Sequence, residues 1–288
     1  MLKKIEETFR DYFPKRMENY QLYTSLLKDK SGLEIGGPSP TFTSKGFLPI
    51  YDYIKKLDGC NFSTNTLWEG NISEGNTYKY GTKKGYQIIS DGSKLDIVTD
   101  AKYDFLLSCH SIEHIANPIK ALTEWKRVIE DKGYIVLIVP HKDNTFDHDR
   151  PITSLGHLIN DYKNNTQEDD TTHFEEVIQL HDILMDQGVR DTATLTIRTV
   201  NNYKNRCLHH HVFNTPLVVK LADYLDFKIC DVQHFNPFNI ILLLQKNSIE
   251  KPDNSFYLDV SNRIYQKDKF PSDKNGWYHL PVCCFYSR

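Results

Sequence analysis

A regular alternation of strand-like and helix-like segments constrains the fold of this chain more than any other sequence feature. Apolar or β-branched runs predict strands at residues 33–35, 54–61, 88–91, 103–108, 134–140, 227–232 and 240–244. Asn117-Pro118 predicts a helix start before the strongest of these strands, at 134–140. Thr215-Pro216, an N-cap followed by a proline at the first helical position, predicts the start of a second helix. This alternation favours an α/β sheet over separate helical and strand domains.

The composition excludes several classes of protein. The chain has 288 residues with 35 Lys and Arg against 38 Asp and Glu, so it offers nucleic acid or anionic membranes no broad electrostatic attraction. No apolar run approaches the roughly 20 residues that span a bilayer. The first residues turn acidic before an apolar core forms, which predicts no secretory signal. Six cysteines without a CxxC pair indicate reduced thiols and a cytoplasmic location.

Histidines are concentrated where the alternation is interrupted. Ten of the twelve histidines lie between His110 and His211, and residues 142–208 are acidic and histidine-rich. Long insertions in compact domains are usually functional or disordered, and helical spacing of apolar residues predicts an ordered lid here. The predicted parts are an N-terminal helical segment at 1–30, a sheet domain at 31–141 and 209–250, the helical lid at 142–208, and a tail of unassigned role at 251–288.

The glycine-containing loop after the first strand is a candidate ligand site. Gly36-Gly37-Pro38-Ser39 lies at the carboxyl edge of that strand, where glycine lets the backbone approach a ligand closely. A turn that merely ends the strand would have the same sequence, so the loop alone leaves both interpretations open. Pro38 and Thr41 stand where a dinucleotide fingerprint needs glycines, and no Gly-Lys-Ser/Thr follows. Neither a dinucleotide loop nor a phosphate-binding P-loop is predicted.

A spaced set of residues between positions 103 and 140 carries a family resemblance. The set comprises Tyr103-Asp104, Ile112-Glu113-His114, Asn117-Pro118, Val128-Ile129, Lys132-Gly133 and Val139-Pro140. It resembles the class I S-adenosylmethionine-dependent methyltransferases, and the similarity extends over about residues 30–246. The resemblance implies S-adenosylmethionine as cofactor. It also implies a Rossmann-like, doubly wound, mostly parallel seven-stranded sheet, with an antiparallel last strand and the helical lid inserted after the fifth strand.

The same resemblance implies a cofactor site. Glu34 and Gly36 match the first motif, with Glu34 orienting the loop, and Asp91 matches the acidic residue that receives the adenine amino group. Asn61 aligns with the acidic residue that takes the ribose hydroxyls, although an amide binds a diol less strongly than a carboxylate does. The predicted cofactor-binding residues are Glu34, Gly36, Gly37, Pro38, Ser39, Asn61, Asp91, Gly92, Ser108 and His110.

Histidines at two places in the chain are candidates for a catalytic base. His141 directly follows the strongest strand, and His209-His210-His211 return the chain to the same edge of the sheet. Oxygen methylation commonly uses a base of near-neutral pKa, for which histidine is well suited. We predict that His141, His210 or His211 is this base. Three consecutive histidines cannot all point the same way, so at least one of the triple run is structural.

Polar residues after the strongest strand predict substrate contacts. The candidates are Asp147, His148, Arg150 and His209. Arg150 suits a bidentate contact with an anionic group. The motifs T-F-D-x-x-R-P, at 145–151, and H-H-H-V-F, at 209–213, resemble a methyltransferase subgroup often encoded with surface-polysaccharide genes. That resemblance implies a sugar or sugar-nucleotide acceptor.

Several histidines also have plain structural interpretations. His110 and His114 would shape the loop and cap the helix, and His173 and His181 would belong to the surface or packing of the lid. A metal site is another alternative, because imidazole and carboxylate suit several divalent ions. Its ligands would come from His141, Asp143, His148, His209 and His211. Their spacing matches no recognised metal signature, and no metal is predicted.

The predicted function is methyl transfer from S-adenosylmethionine to an oxygen of a small polar acceptor, such as a sugar, a sugar nucleotide or a phosphorylated metabolite. One alternative is methylation of a phosphate or phosphoramidate oxygen on a capsule precursor, which is already anionic and needs no base. Nitrogen methylation is a variant. A catalytically silent partner protein is an alternative of a different class, which Asn61 favours. No nucleic-acid partner is predicted, and the oligomeric state stays open.

Overall fold

The computed structural model describes residues 14–247, 249–259, 261 and 270–274, and its centre is an eight-stranded sheet. The strands of this sheet are β1 (Ser31–Ile35), β2 (Lys56–Asn61), β5 (Gly75–Tyr80), β6 (Lys83–Ile89), β7 (Tyr103–Cys109), β8 (Ile129–Pro140), β9 (Phe227–Phe235) and β10 (Asn239–Lys246). They are ordered β5-β6-β2-β1-β7-β8-β10-β9. A separate two-stranded ribbon consists of β3 (Asn65–Thr66) and β4 (Gly70–Asn71).

The pairing directions confirm the predicted doubly wound sheet and add one strand to it. β6, β2, β1, β7 and β8 pair in parallel, and β10 lies antiparallel between β8 and β9. The predicted sheet had seven strands, whereas β5 joins its edge as an eighth, antiparallel to β6. The reason is a tight turn at Gly81, whose positive φ of 55° lets the chain fold back as a hairpin.

Helices and loops cover the sheet on both faces. The helices are α1 (Tyr20–Leu27), α2 (Pro118–Val128), α3 (Leu155–Lys163), α4 (Phe174–Leu180), α5 (Thr192–Val200), α6 (Asn202–Asn205), α7 (Thr215–Tyr224) and α8 (Ser255–Leu258). Trp125 of α2 and Leu217 of α7 belong to the buried cluster on one face. Tyr23 of α1, with Phe42 and Tyr51 from the loop after β1, belongs to the cluster on the other. The predicted helical segment at 1–30 is described only from residue 14.

Asparagine side chains cap the starts of two helices on the same face of the sheet, α2 and α7. Asn117 accepts a hydrogen bond from the Lys120 amide and starts α2, as predicted. α7 starts one residue earlier than predicted, because Asn214 is the N-cap and accepts from the Leu217 amide. The hydroxyl of Thr215, the predicted cap, donates to Asp273 instead.

The segment between β8 and α7, here called the insert (residues 141–214), contains α3 to α6. The sequence predicts helices in the lid at 152–162 and 172–185, to which α3 and α4 correspond, whereas α5 and α6 were not predicted. A small cluster of buried side chains holds part of the insert together, namely Val177, Val189, Leu195 and Leu208. In the predicted tail, the described part includes α8 and a 3₁₀ turn at Pro271–Asp273. Across the described residues, no helix has the length and apolar character needed to cross a membrane.

Candidate active site

A cavity of about 590 Å³ opens at the carboxyl ends of β1, β2, β6 and β7. Chain segments that follow these parallel strands form its walls, and Arg206 of the insert lies at one side. The residues that line it are Ile35, Gly36, Pro38, Ser39, Pro40, Thr41, Cys60, Asn61, Phe62, Trp68, Glu69, Ser90, Asp91, Gly92, Cys109, His110, Ser111, His114, Ile115 and Arg206. In open α/β sheets this edge is where ligands bind.

The loop after β1 is shaped by Gly36 and supported by Glu34. Gly36 has a φ of +76°, and a Cβ there would lie 2.5 Å from the Ser111 hydroxyl, so only glycine fits. Glu34 is buried behind the loop and does not line the cavity. Its carboxylate accepts hydrogen bonds from the Tyr51 and Tyr78 hydroxyls and from the Ser39 amide. Burial raises the Glu34 pKa to about 7 against these donors, which act to lower it.

Asn61 connects the glycine loop to an aromatic wall. Its Nδ2 donates to the Gly37 carbonyl at 3.0 Å, and its Oδ1 accepts from the Trp68 indole at 3.1 Å. Phe62 lies beside Trp68, with ring centroids 5.8 Å apart. Both ends of the Asn61 amide therefore have protein partners. Phe62, Trp68 and Glu69 were missed at the sequence level, because they follow β2 in an irregular stretch without a motif.

An ion-pair chain closes the side of the cavity nearest the insert. Asp91 Oδ1 accepts from the backbone and hydroxyl of Ser93, and Oδ2 lies 3.3 Å from Arg206 Nη2. Arg206 also pairs with Glu168 of the insert and lies over the Phe62 ring, 5.2 Å from its centroid. Arg206 was not predicted as a site residue, since only the folded insert brings it to Asp91.

His110 and His114 line the cavity on either side of the buried Glu113. The Asn239 amide donates to the Phe235 carbonyl, so its Oδ1 faces His110 Nε2 at 2.8 Å and that nitrogen carries a proton. His110 Nδ1 lies 3.5 Å from the Glu113 carboxylate. Burial acts to lower the His110 pKa, but the bond to Glu113 and its charge outweigh burial and raise it.

His114 has a different electrostatic environment. Its Nδ1 lies 3.1 Å from the Leu208 carbonyl, which can only accept, so Nδ1 carries the proton and Nε2 holds the lone pair. Burial and the neighbouring His209 lower the His114 pKa to about 4. Nε2 lies 3.9 Å from Glu113 and has no hydrogen bond among the described residues. A neutral imidazole with an available lone pair thus lines the cavity.

The three predicted catalytic histidines lie outside the cavity lining. His141 follows β8, but its ring does not face the cofactor edge as expected: it stacks on Phe270 at 3.8 Å, with Nε2 3.1 Å from Asp273. His210 is buried and accepts from the Asn202 amide. His211 is buried with Nε2 against the Ala116 carbonyl.

Three predicted cofactor residues, Glu34, Gly37 and Ser108, and all of the predicted substrate contacts also lie outside this lining. Gly37 is behind the loop, where a Cβ would lie 2.3 Å from the Glu34 carboxylate, and Ser108 is fully buried. Asp147, Arg150 and His209 form one buried network, described below, and His148 is half-buried near Asp149. The predicted cofactor residues that do line the cavity are Gly36, Pro38, Ser39, Asn61, Asp91, Gly92 and His110.

Comparison with known families decides the nature of this site. Residues 53–137, which run from the start of β2 through most of β8, match a family described as a methyltransferase domain. This part of the chain carries a methyltransferase domain. The strand order and the antiparallel β10 agree with the fold that the resemblance implied.

Solved structures similar to this methyltransferase come from several organisms. A SAM-dependent methyltransferase from Methanosarcina mazei is 16% identical, with a TM-score of 0.44 over 79% of this chain and 97% of that chain. One from Aquifex aeolicus is 11% identical, with a TM-score of 0.40 over 80% of this chain and 89% of that chain. A sequence comparison with curated proteins finds no significant match.

The residues of the cavity fit S-adenosylmethionine as the cofactor. The volume of about 590 Å³ lies within the range of small-molecule sites, roughly 300–1,000 Å³. The Asp91 and Glu69 carboxylates suit a ligand with cationic groups, and Phe62 and Trp68 suit one with an aromatic base. Gly36 leaves room for close approach of a ligand to the backbone.

Proposed function

We propose that this methyltransferase transfers the methyl group to a hydroxyl oxygen of a small polar acceptor, with His114 as the general base. The observation that carries the proposal is that His114 lines the cavity with its Nδ1 fixed by the Leu208 carbonyl and its Nε2 without a hydrogen bond among the described residues. A base needs a lone pair within reach of the acceptor, and an orienting partner holds the required tautomer.

The proton transfer is arranged by Glu113 and His114. When bound, S-adenosylmethionine would supply an electrophilic methyl group for transfer to the acceptor oxygen. His114 Nε2 takes the hydroxyl proton, and the nearby Glu113 carboxylate stabilises the imidazolium that results. Hydrogen bonding to His110 acts to lower the Glu113 pKa against burial, so this carboxylate is ionised at neutral pH. His110, with both nitrogens facing acceptors, serves as a donor rather than a base.

The cofactor contacts are proposed from the same wall. Gly36 and the loop anchored by Asn61 would hold the methionine part, and Asp91 the adenine amino group. Glu69 is the better candidate for the ribose hydroxyls, because both ends of the Asn61 amide are already bonded within the protein. Burial raises the Glu69 pKa, as expected for a carboxylate partly withdrawn from water.

A neutral acceptor is favoured over a phosphate. Arg150, the predicted anion contact, is buried and paired with Asp147 and Glu176. Among the described lining residues, Arg206 is the sole arginine or lysine, and two carboxylates already pair with it. An anionic acceptor would find little uncompensated positive charge, whereas a sugar hydroxyl needs none. The sequence motifs at 145–151 and 209–213 support a sugar from surface-polysaccharide synthesis, and the shortage of positive charge favours a sugar without phosphate groups over a sugar nucleotide. The four free cysteines in the described chain support a cytoplasmic location.

The test uses a labelled methyl donor, a panel of sugars and sugar nucleotides, and mapping of the methylated atom. We expect His114→Ala to lower kcat about 100-fold, at the lower end of the range for a general base because the His114 pKa is low. Binding of S-adenosylhomocysteine, measured by calorimetry, should change little. His148→Ala, a half-buried histidine outside the cavity, is the matched control. Full turnover in His114→Ala, or a methyl group mapped to nitrogen, would contradict the proposal.

A further inference from the structure

A cluster of histidines lies in the insert, separate from the cavity lining. One ring nitrogen from each of His157, His173 and His211 lies within 4.8 Å of the other two. His157 is on α3, His173 precedes α4, and His211 lies shortly before α7. Nε2 of His157 and Nε2 of His173 are 3.2 Å apart. The fold therefore brings together three imidazoles from positions spread over 54 residues of sequence, 157 to 211.

Asp161 adds a carboxylate to this cluster. It lies one helical turn after His157 on α3, and its Oδ2 is 3.3 Å from His157 Nε2 and 3.9 Å from His211 Nε2. The Thr166 hydroxyl donates to Oδ1, which fixes the carboxylate. Oδ2 is buried and has no hydrogen-bond partner in the described chain. A buried carboxylate oxygen without a donor is costly unless another group compensates it.

His211 shows the arrangement of a ligand with an outer partner. Its Nε2 donates to the Ala116 carbonyl at 3.1 Å, so the lone pair is on Nδ1. Nδ1 is buried without a hydrogen-bond partner among the described residues. Metal-binding histidines typically donate their second ring nitrogen to a carbonyl or carboxylate in this way.

We propose that His157, His173 and His211 bind one divalent transition-metal ion of the zinc type, and that the Asp161 carboxylate, which lies beside His157, turns toward the ion as its fourth ligand. Bonds of about 2.0–2.1 Å in a tetrahedral site place ligand atoms about 3.4 Å apart. The observed separations of 3.2 Å between the His157 and His173 nitrogens and 3.3 Å between His157 and Asp161 are close to that value. Three nitrogens and one oxygen suit zinc, cobalt or iron better than magnesium or calcium, which prefer oxygen.

The ion would fasten α3 and the start of α4 to His211 near the end of the insert, which is itself hydrogen-bonded to the core. His211 bonds to the Ala116 carbonyl, and the Ala116 amide donates to Glu168, which pairs with Arg206 in the cavity wall. Ala116, to which His211 bonds, directly follows Ile115 in sequence, and Ile115 lines the cavity. His157 is 41% exposed, which gives the ion a path from solvent. The role is structural, because none of the four ligands lines the cavity.

The test is metal binding to the full chain without an affinity tag. After removal of metals with a chelator, Zn²⁺ alone is titrated by calorimetry, and Co²⁺ is titrated by visible absorption as a probe of the ligand set. We expect one equivalent per chain, and a melting temperature higher by roughly 5 °C at Zn²⁺ concentrations about 100-fold above Kd. His157→Ala and His173→Gln should each weaken binding at least about 100-fold.

Matched controls keep the outcome decisive. His148→Ala removes a half-buried histidine of the insert that is not in the cluster, and it should bind Zn²⁺ like the unaltered protein. His157 is partly exposed, so its substitution should leave a folded chain, which circular dichroism verifies. Binding well below one equivalent in the unaltered protein overturns the proposal. So does binding that survives both substitutions, since the ion would then be held elsewhere.

Discussion

Substitution of Arg150 separates a substrate contact from a structural one. Arg150 is 1% exposed; its guanidinium lies 2.8 Å from Asp147 and 2.8 Å from Glu176, and donates to the His209 carbonyl. Asp147 in turn holds His209 Nδ1. Arg150→Ala would leave the buried Asp147 without its guanidinium. Removing one partner of a buried pair costs about 3–5 kcal/mol, and Asp147 dominates here because Glu176 is 30% exposed.

That loss corresponds to a melting temperature lower by roughly 10 °C in a chain of this size. The assay is thermal and urea unfolding, alongside KM for the acceptor measured at a temperature where the variant stays folded. Burial alone would raise the Asp147 pKa, but His209 and Arg150 lower it. The stabilisation is therefore complete above the unfolded carboxyl pKa, about 3.9, and is lost as pH falls through the lower folded value. The difference in melting temperature between Arg150→Ala and the unaltered protein should therefore narrow at acid pH.

Arg190→Ala is the matched control, because Arg190 is an exposed arginine of the same insert. It should leave the melting temperature unchanged within about 2 °C, as most surface substitutions do. A KM raised tenfold in Arg150→Ala, with an unchanged melting temperature, would refute the structural interpretation. It would restore Arg150 as an anion contact of the acceptor.

Two further predictions concern the cavity itself. The His114 pKa of about 4 predicts that kcat/KM stays flat between pH 8 and 5.5. A base with an ordinary histidine pKa of about 6.5 would instead lose about 90% of its activity at pH 5.5. A pH–rate profile with an acid limb near pH 6.5 would exclude His114 as the base. Asn61→Asp restores the acidic residue of the family pattern, yet it should weaken S-adenosylhomocysteine binding several-fold, because an ionised carboxylate cannot donate to the Gly37 carbonyl. Calorimetry measures this effect, and Asn65→Asp, an exposed asparagine, is the control. Tighter binding by Asn61→Asp would show that a contact with the ribose outweighs the hydrogen bond by which Asn61 supports the loop.

The sheet was predictable because its signals are local. The apolar run of β8, the Asn117-Pro118 helix start and the glycine after β1 each lie within a few residues of the element they specify. The irregular chain between β2 and β6 was less predictable. Only short hairpins form there, and the edge strand β5 depends on a turn at Gly81 rather than on an apolar pattern.

Site residues were predictable where their position at the end of a strand decides their role. They were not predictable where contacts with a segment distant in sequence decide it. Gly36 and Asp91 line the cavity because they follow strands of the sheet. His141 follows a strand too, but Phe270 and Asp273, about 130 residues later in sequence, cover its ring. The sequence does not indicate His114 as the base, since its tautomer is set by the carbonyl of Leu208, a residue of the insert. Hydrophobic periodicity and short motifs carry no information about partners so distant in sequence.

The insert thus acts on the active site through the backbone as well as through side chains. The Leu208 carbonyl orients His114, and Arg206, two residues earlier, pairs with Asp91 in the cavity. A displacement of this short stretch by about 1 Å would misalign the proposed base, an effect that can cost about 100-fold in rate. The cofactor loop belongs to β1 and would keep its geometry, because Glu34, Tyr51, Tyr78 and Asn61 hold it within the core. Changes that loosen the insert should therefore lower kcat and disturb the Asp91 contact that Arg206 supports, while the loop proposed to hold the methionine part of the cofactor stays in place.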